Sequence, residues 1–302
     1  MGTRNLHRAA HHVLLWLGVV VTVSCSSRNR TFRIPTIDNN VCKRLSGEAV
    51  YYAVFVDSKS TGPWSAHDIR STLDSIRVAM DWIEGQAAAR GFRLKVEVVA
   101  HQQDGIMPVK VDLSKKSLEK TLLGPNGERA MDNWAEKAAR QVAATIPPDT
   151  STITRTKNNP TNTERLIARI RDVHAVDNVA LFFMVNNYYK EDLSVVLHAG
   201  QNDKVEYGVQ SYKRPSVIAH EFLHLFGALD LYVTPFDKKR AMRKRKEFAM
   251  QEFPKEIMAF AERDLDSLEI GPLTEYLVGW KPELDPRYIR MITGKKIRVV
   301  KY

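Results

Sequence analysis

The segment His220-Glu221-Phe222-Leu223-His224-Leu225-Phe226-Gly227-Ala228-Leu229-Asp230 constrains this chain more than any other. It reads H-E-x-x-H-x-x-G-x-x-D. The spacing predicts a helix, on which His220 and His224, four residues apart, share one face. Two imidazoles on one face can grip one zinc ion, and Glu221 beside them can take a proton from an attacking water. Gly227 lets the chain leave the helix through a conformation that a Cβ would penalise. The turn then brings Asp230 back as a third ligand, since a carboxylate oxygen is an acceptable zinc donor. The competing reading is a core helix with two satisfied histidines, because Val217, Ile218, Phe222, Leu223, Leu225 and Phe226 are apolar almost all round. Against it, two His and a Glu without partners are costly to bury.

His220 through Asp230 resemble the zinc-binding consensus of the metzincin clan of metallopeptidases. Asp in third place is similar to the snapalysin and immune inhibitor A families, and Leu231 and Tyr232 continue the Asp-x-Tyr that often follows in the latter. Glu256-Ile257-Met258-Ala259 looks like the methionine turn beneath the metal in this clan, and Leu273 to Trp280 resembles the C-terminal helix that follows it and ends in Gly-Trp. The resemblance covers about residues 190 to 281. It implies ligands His220, His224 and Asp230, Glu221 as general base, and Met258 as the packed floor of the site. Some members place a Tyr two residues after the turn methionine, where it helps to stabilise the oxyanion. Here that position is Phe260.

The N-terminus bears on the compartment. Arg4 and Arg8 precede Val13–Val23, an eleven-residue apolar run. That is shorter than the ~20 residues of a membrane span and has the length of a signal-peptide core. Thr22-Val23-Ser24-Cys25 resembles a bacterial lipobox, which implies cleavage before Cys25 and lipidation of its sulfur. The expected product is exported and held at an outer membrane or cell surface. An ordinary cleaved signal and an uncleaved anchor are the alternatives. The only other cysteine is Cys42. Lipidation of Cys25 leaves it a lone thiol; otherwise a Cys25–Cys42 bridge is open in an oxidising compartment. Asn40-Val41-Cys42-Lys43-Arg44 does not resemble an inhibitory cysteine switch.

Without residues 1–24 the formal charge falls from +10 to +8. That balance favours anionic surfaces or acidic substrates. Much of it lies in Lys238, Lys239, Arg240, Arg243, Lys244, Arg245 and Lys246, which read otherwise as a solvated helix or loop. No nucleic-acid-binding module is recognisable, and no nucleic-acid partner is expected.

Organisation follows from periodicity. Residues 1–24 read as signal, 25–46 as lipidated Cys and polar tether, and 47–302 as catalytic domain. Strands are expected at 49–57, 92–100 and 178–186, the last a continuous apolar run suited to a central strand. Helices are expected at 65–90, 129–144 and 163–176. Two further strand-like pieces, 193–199 and 205–212, precede the His220 helix, and either could be an antiparallel edge that takes an extended peptide by strand addition. The expected fold class is α+β and zincin-like: a twisted mixed sheet with an antiparallel edge strand, an active-site helix, a Met turn and a C-terminal helix.

The expectation is therefore a zinc-dependent endopeptidase acting on peptide or protein substrates. The alternatives are a catalytically silent binding or surface-assembly protein on the same scaffold, and a zinc amidase acting on a non-peptide cell-wall amide. Competitors of Asp230 for the third ligand place are His198, Glu247, Glu252 and Glu256.

Overall fold

The computed structural model describes residues 44–101, 107–113, 125–145, 161–186, 194–199, 204–211, 213–233 and 239–293. Cys25, Cys42, Lys238 and nearly all of the expected signal and tether lie outside them. The described residues are α+β. Their six strands form one mixed sheet, with seven α-helices around it.

Strand β1 (Gly47–Asp57) and strand β4 (Asn178–Val185) are parallel neighbours, paired from Ala49↔Asn178 to Val56↔Val185. Both are almost entirely buried, which is why their sequences run apolar instead of alternating. Strands β2 (Leu94–Ala100) and β3 (Val109–Lys110) pair with the far side of β1. On the other flank, β6 (Tyr207–Gln210) runs parallel to β4, and β5 (Ser194–Leu197) is antiparallel to β6 at the edge. Of the two pieces that could have been the edge, the first takes it and the second lies inside.

Successive strand residues face opposite ways, and the sheet uses both faces. Phe182 stacks on Tyr51 at 4.5 Å, and Tyr51 on Phe222 of helix α4 (Pro215–Leu225) at 6.2 Å. Helix α1 (Ala66–Ala88) lies beside α4 on that face. Its start is a capping box in which Ser65 and Asp68 each hold the other's backbone N–H. Phe183 points to the opposite face and meets Trp134 of helix α2 (Pro125–Thr145) edge-on at 5.5 Å. Helix α3 (Asn162–His174) packs on α2. Helix α2 begins at Pro125, earlier than the expected 129. Gly208 carries a sheet constraint, because a Cβ there would lie 2.2 Å from ring carbons of Phe182.

Beyond α4 come α5 (Arg240–Glu252), a 3-10 turn at Leu265–Ser267, α6 (Pro272–Leu277) and α7 (Pro286–Thr293). The end of α6 returns to the start of the sheet. Leu45 N–H donates to Val278 O, Trp280 Nε1–H donates to Leu45 O, and the Trp280 ring stacks on Phe92 at 5.9 Å. The Gly-Trp end of that helix thus clamps the strand that leads the core.

Candidate metal centre

Helix α4 starts with Pro215 in its first turn and has no side-chain cap. It is held by packing, with Ile218, Ala219, Phe222, Leu223 and Leu225 all but inaccessible. His220 and His224 share one face, and the rings meet edge-on at 4.6 Å. After the helix, Gly227 N–H donates to His224 O and Ala228 N–H to Leu223 O, with Gly227 at φ +93°. Nothing but ordinary contact would meet a Cβ at Gly227, so the requirement for Gly there is backbone strain and not space. The turn returns Asp230 to the two histidines.

The geometry is a tight triangle. His220 Nε2 and His224 Nε2 are 3.0 Å apart, His224 Nε2 and Asp230 Oδ1 3.1 Å, and His220 Nε2 and Asp230 Oδ1 3.2 Å. The other ring nitrogens are also engaged. His224 Nδ1 lies 2.8 Å from Ala228 O, and His220 Nδ1 lies 3.2 Å from Ile257 O. A carbonyl oxygen only accepts, so each Nδ1 carries a proton, and each Nε2 faces the triangle, where it is a lone pair in the neutral imidazole and an N–H donor in the protonated one. Two such ring nitrogens and a carboxylate oxygen can share one cation, a proton or a metal ion. Tetrahedral zinc at about 2.0–2.1 Å from each ligand places ligand atoms about 3.3 Å apart, close to the observed edges. The donor set, two imidazoles and a carboxylate, suits zinc. Among the described residues this is the sole group of three or more His, Cys, Asp or Glu side chains so arranged.

A proton can occupy the same place. Burial would push His224 down, but the hydrogen bond and charge of Asp230, with the charge of Glu221, outweigh it and hold the imidazole up at about 9. Burial would raise Asp230, yet the two imidazoles hold its carboxyl well below the usual carboxylate range. Burial pushes Glu221 up, against the pull of His220 and His224 and with the added repulsion of Asp230. Glu221 is 7 % exposed. Its environment therefore suits a base poised closer to neutrality than an ordinary glutamate.

A second layer holds the first. Met258 is fully buried, and it reaches the site through its backbone, since its carbonyl accepts from Leu231 N–H at 2.9 Å. The neighbouring Ile257 carbonyl is the acceptor for His220. Glu256 holds this turn in place: it accepts from Met258 N–H at 3.2 Å, Gly271 N–H at 2.7 Å and Thr274 Oγ1–H at 3.1 Å. A Cβ on Gly271 would lie 2.4 Å from Glu256 Oε2, so the close approach requires Gly there.

Glu256 was a competitor for the third ligand place; its carboxylate is spent on the turn. Glu252 accepts from Tyr288 Oη–H at 2.8 Å, and neither Glu247 nor His198 belongs to the metal-ligating group. His198 follows β5 and contacts Asp132 of α2 at 2.6 Å, beside Tyr207. Phe260 lies under the Arg263 guanidinium, 3.8 Å from its ring centroid. Tyr232 is a neighbour to which the sequence reading assigned no role: its ring is 5.9 Å from that of His220. The Ala228 and Ile257 carbonyls were also missed, and backbone acceptors leave no mark in a side-chain pattern. Compared with known proteins, the chain matches no family model, no curated protein and no solved structure.

Burial pushes the Glu256 carboxyl up to about 7 from 4.5, against the three donors that lower it. A folded-state value above the unfolded one stabilises fully below about pH 4.5, and this stabilisation is lost as pH rises through about 7. Glu256→Gln cannot titrate. Denaturant unfolding of both forms should therefore show wild type losing, relative to Glu256→Gln, on the order of 3 kcal/mol between pH 4 and 8. A difference that stays flat over that range would contradict the assignment.

Proposed function

We propose that the chain is a zinc-dependent endopeptidase of metzincin type, with His220, His224 and Asp230 as ligands and Glu221 as general base. The observation that carries this reading is the convergence of three potential ligand atoms, from His220, His224 and Asp230, beside a buried carboxylate. Zinc, when bound, supplies a Lewis acid that acidifies water and polarises a carbonyl. Glu221 receives the proton of the attacking water and passes it to the leaving amine. Its raised affinity for a proton serves both halves of that transfer. The edge strand β5 pairs only with β6 among the described residues, and its other side offers N–H and C=O groups to an extended peptide. Tyr232 supplies a phenol next to His220, which Phe260 cannot supply after the turn methionine.

One zinc per full chain is expected by elemental analysis, and chelation should abolish hydrolysis of a generic peptide mixture. Glu221→Gln should retain the metal and lose about 10²–10⁴-fold in kcat. Asp230→Ala should lower zinc affinity by about a hundredfold or more. Peptide hydrolysis that persists in metal-free protein would defeat the reading. So would zinc bound as tightly after Asp230→Ala.

We also propose export and lipidation of Cys25, on the sequence pattern alone. Lipid on Cys25 would keep the enzyme at a membrane, with the basic chain adding attraction to anionic headgroups. Intact-mass measurement of the mature protein should give a chain starting at Cys25 with a diacylglyceryl adduct. An unmodified N-terminus beyond residue 25 would rule it out.

A further inference from the structure

Helix α5 lies between the third ligand and the Met turn in sequence, and the endopeptidase reading gives its basic run nothing to do. The helix has two sets of cations. Arg245 and Lys246 point inward: Arg245 Nη1–H donates to Met291 O at 3.2 Å, and Lys246 Nζ lies 5.7 Å from the centroid of the Tyr232 ring. Phe248, Ala249 and Met250 pack on the core, and the Tyr288 phenol bonds Glu252 at the helix end. Lys239, Arg240, Arg243 and Lys244 point outward and are exposed. Among the described residues none of the four has a carboxylate within 4 Å.

The outward set is placed against helix stability. Arg240 with Arg243 and with Lys244 are like charges at i, i+3 and i, i+4, a destabilising arrangement. The first turn holds no acidic residue, and Lys239 at the N-cap makes no side-chain cap. Cations at that end also oppose the helix dipole. Outward cations that break three local rules and make no ion pair among the described residues are the pattern expected where function has a claim.

Position gives the claim its content. One aromatic ring, Tyr232, separates Lys246 from His220. The free cations lie within about a turn or two of Lys246 along the helix, at about 1.5 Å per residue, so the strip adjoins the metal group through Lys246 and Tyr232. The exposed face of α5 carries no large apolar side chain; those in the described residues are Val78, Met107, Val173, Leu229, Tyr276 and Ile289. A helix that seats itself in a lipid surface needs such residues. Alternate side chains of an extended peptide recur at about 6.5–7 Å, and Arg240 and Lys244 are separated by about 6 Å along the helix axis. Acidic residues at every second position of a peptide therefore match cations at every turn of this helix.

We propose that the outward cations of α5 are a docking strip for an acidic, Glu-x-Glu-like segment of the peptide substrate, and so set the substrate class of the adjoining site. This rests on the peptidase reading of that site.

The test uses the full chain carrying Glu221→Gln, zinc-loaded, so that bound peptide is not cut. Fluorescence anisotropy compares a labelled (Ala-Glu)-repeat peptide with its (Ala-Gln) counterpart. The acidic peptide should bind about tenfold tighter at about 50 mM salt, and the advantage should shrink at about 300 mM. Arg240→Gln, Arg243→Gln and Lys244→Gln together should abolish the advantage; Gln keeps the helix propensity of the residues it replaces. A control that removes the same charge elsewhere, Arg70→Gln, Arg77→Gln and Lys95→Gln, should retain it. Equal loss in both triple variants, or in neither, overturns the strip. Loss of binding to phosphatidylglycerol vesicles in the α5 variant with peptide preference intact overturns it in favour of a lipid surface. Zinc content and hydrolysis of a neutral peptide by the Glu221 form are measured in parallel. Their failure would sink the peptidase reading, whereas the anisotropy result judges the strip separately.

Discussion

Two backbone carbonyls, Ala228 O and Ile257 O, decide what the histidines of α4 can do. Each accepts a hydrogen bond from one Nδ1–H, and so each turns an Nε2 towards Asp230. With both rings fixed in this sense, the three edges of 3.0–3.2 Å bring two Nε2 atoms and a carboxylate oxygen together, and the group suits one cation, either a proton or a metal ion. The charge on Asp230 that holds His224 protonated to about 9 is the same charge that would favour a metal ion in place of that proton.

The two carbonyls come from different parts of the chain, and this explains the architecture beyond α4. Ala228 belongs to the turn that Gly227 allows. Ile257 belongs to a turn 29 residues on (257 − 228), and something must hold that turn against the helix. Glu256 does so, by collecting the N–H of Met258, the N–H of Gly271 and the hydroxyl of Thr274 on one buried carboxylate. Helix α6, tied in this way, reaches on through Trp280 to Leu45 at the head of β1. The chain of contacts from His220 through Ile257 and Glu256 to the sheet is continuous. A defect at Gly271 or Glu256 would therefore be felt at the imidazoles, although neither touches them.

Much of this was legible in the sequence, for identifiable reasons. The i, i+4 histidines, the Gly that ends the helix and the Asp three residues later are short-range facts, and the structure brings those side chains together. The central strand at 178–186 announced itself as an unbroken apolar run, and α1 by the helical spacing of Ile69, Leu73, Ile76, Met80 and Ile83 between Pro63 and Gly91. What was not legible depends on long-range pairing. Nothing in the sequence separates the edge strand from its neighbour, since 193–199 and 205–212 have similar character; that choice is made by which of them pairs with β4. Glu256 was among the competitors for the third ligand place because a glutamate distant in sequence can fill it. Its actual partners are backbone N–H groups, which no residue pattern displays. Helix α5 could be read as a solvated segment because its charged face is one; its apolar anchoring through Ala249 and Phe253 is visible only once α7 is in place.

The most direct measurement is X-ray absorption at the zinc edge on the purified full chain after one equivalent of zinc has been added. The account predicts a first shell with two imidazole nitrogens and a carboxylate oxygen at about 2.0–2.1 Å, and loss of that oxygen contribution in Asp230→Ala. A shell that contains sulfur, or one without both imidazoles, would contradict it.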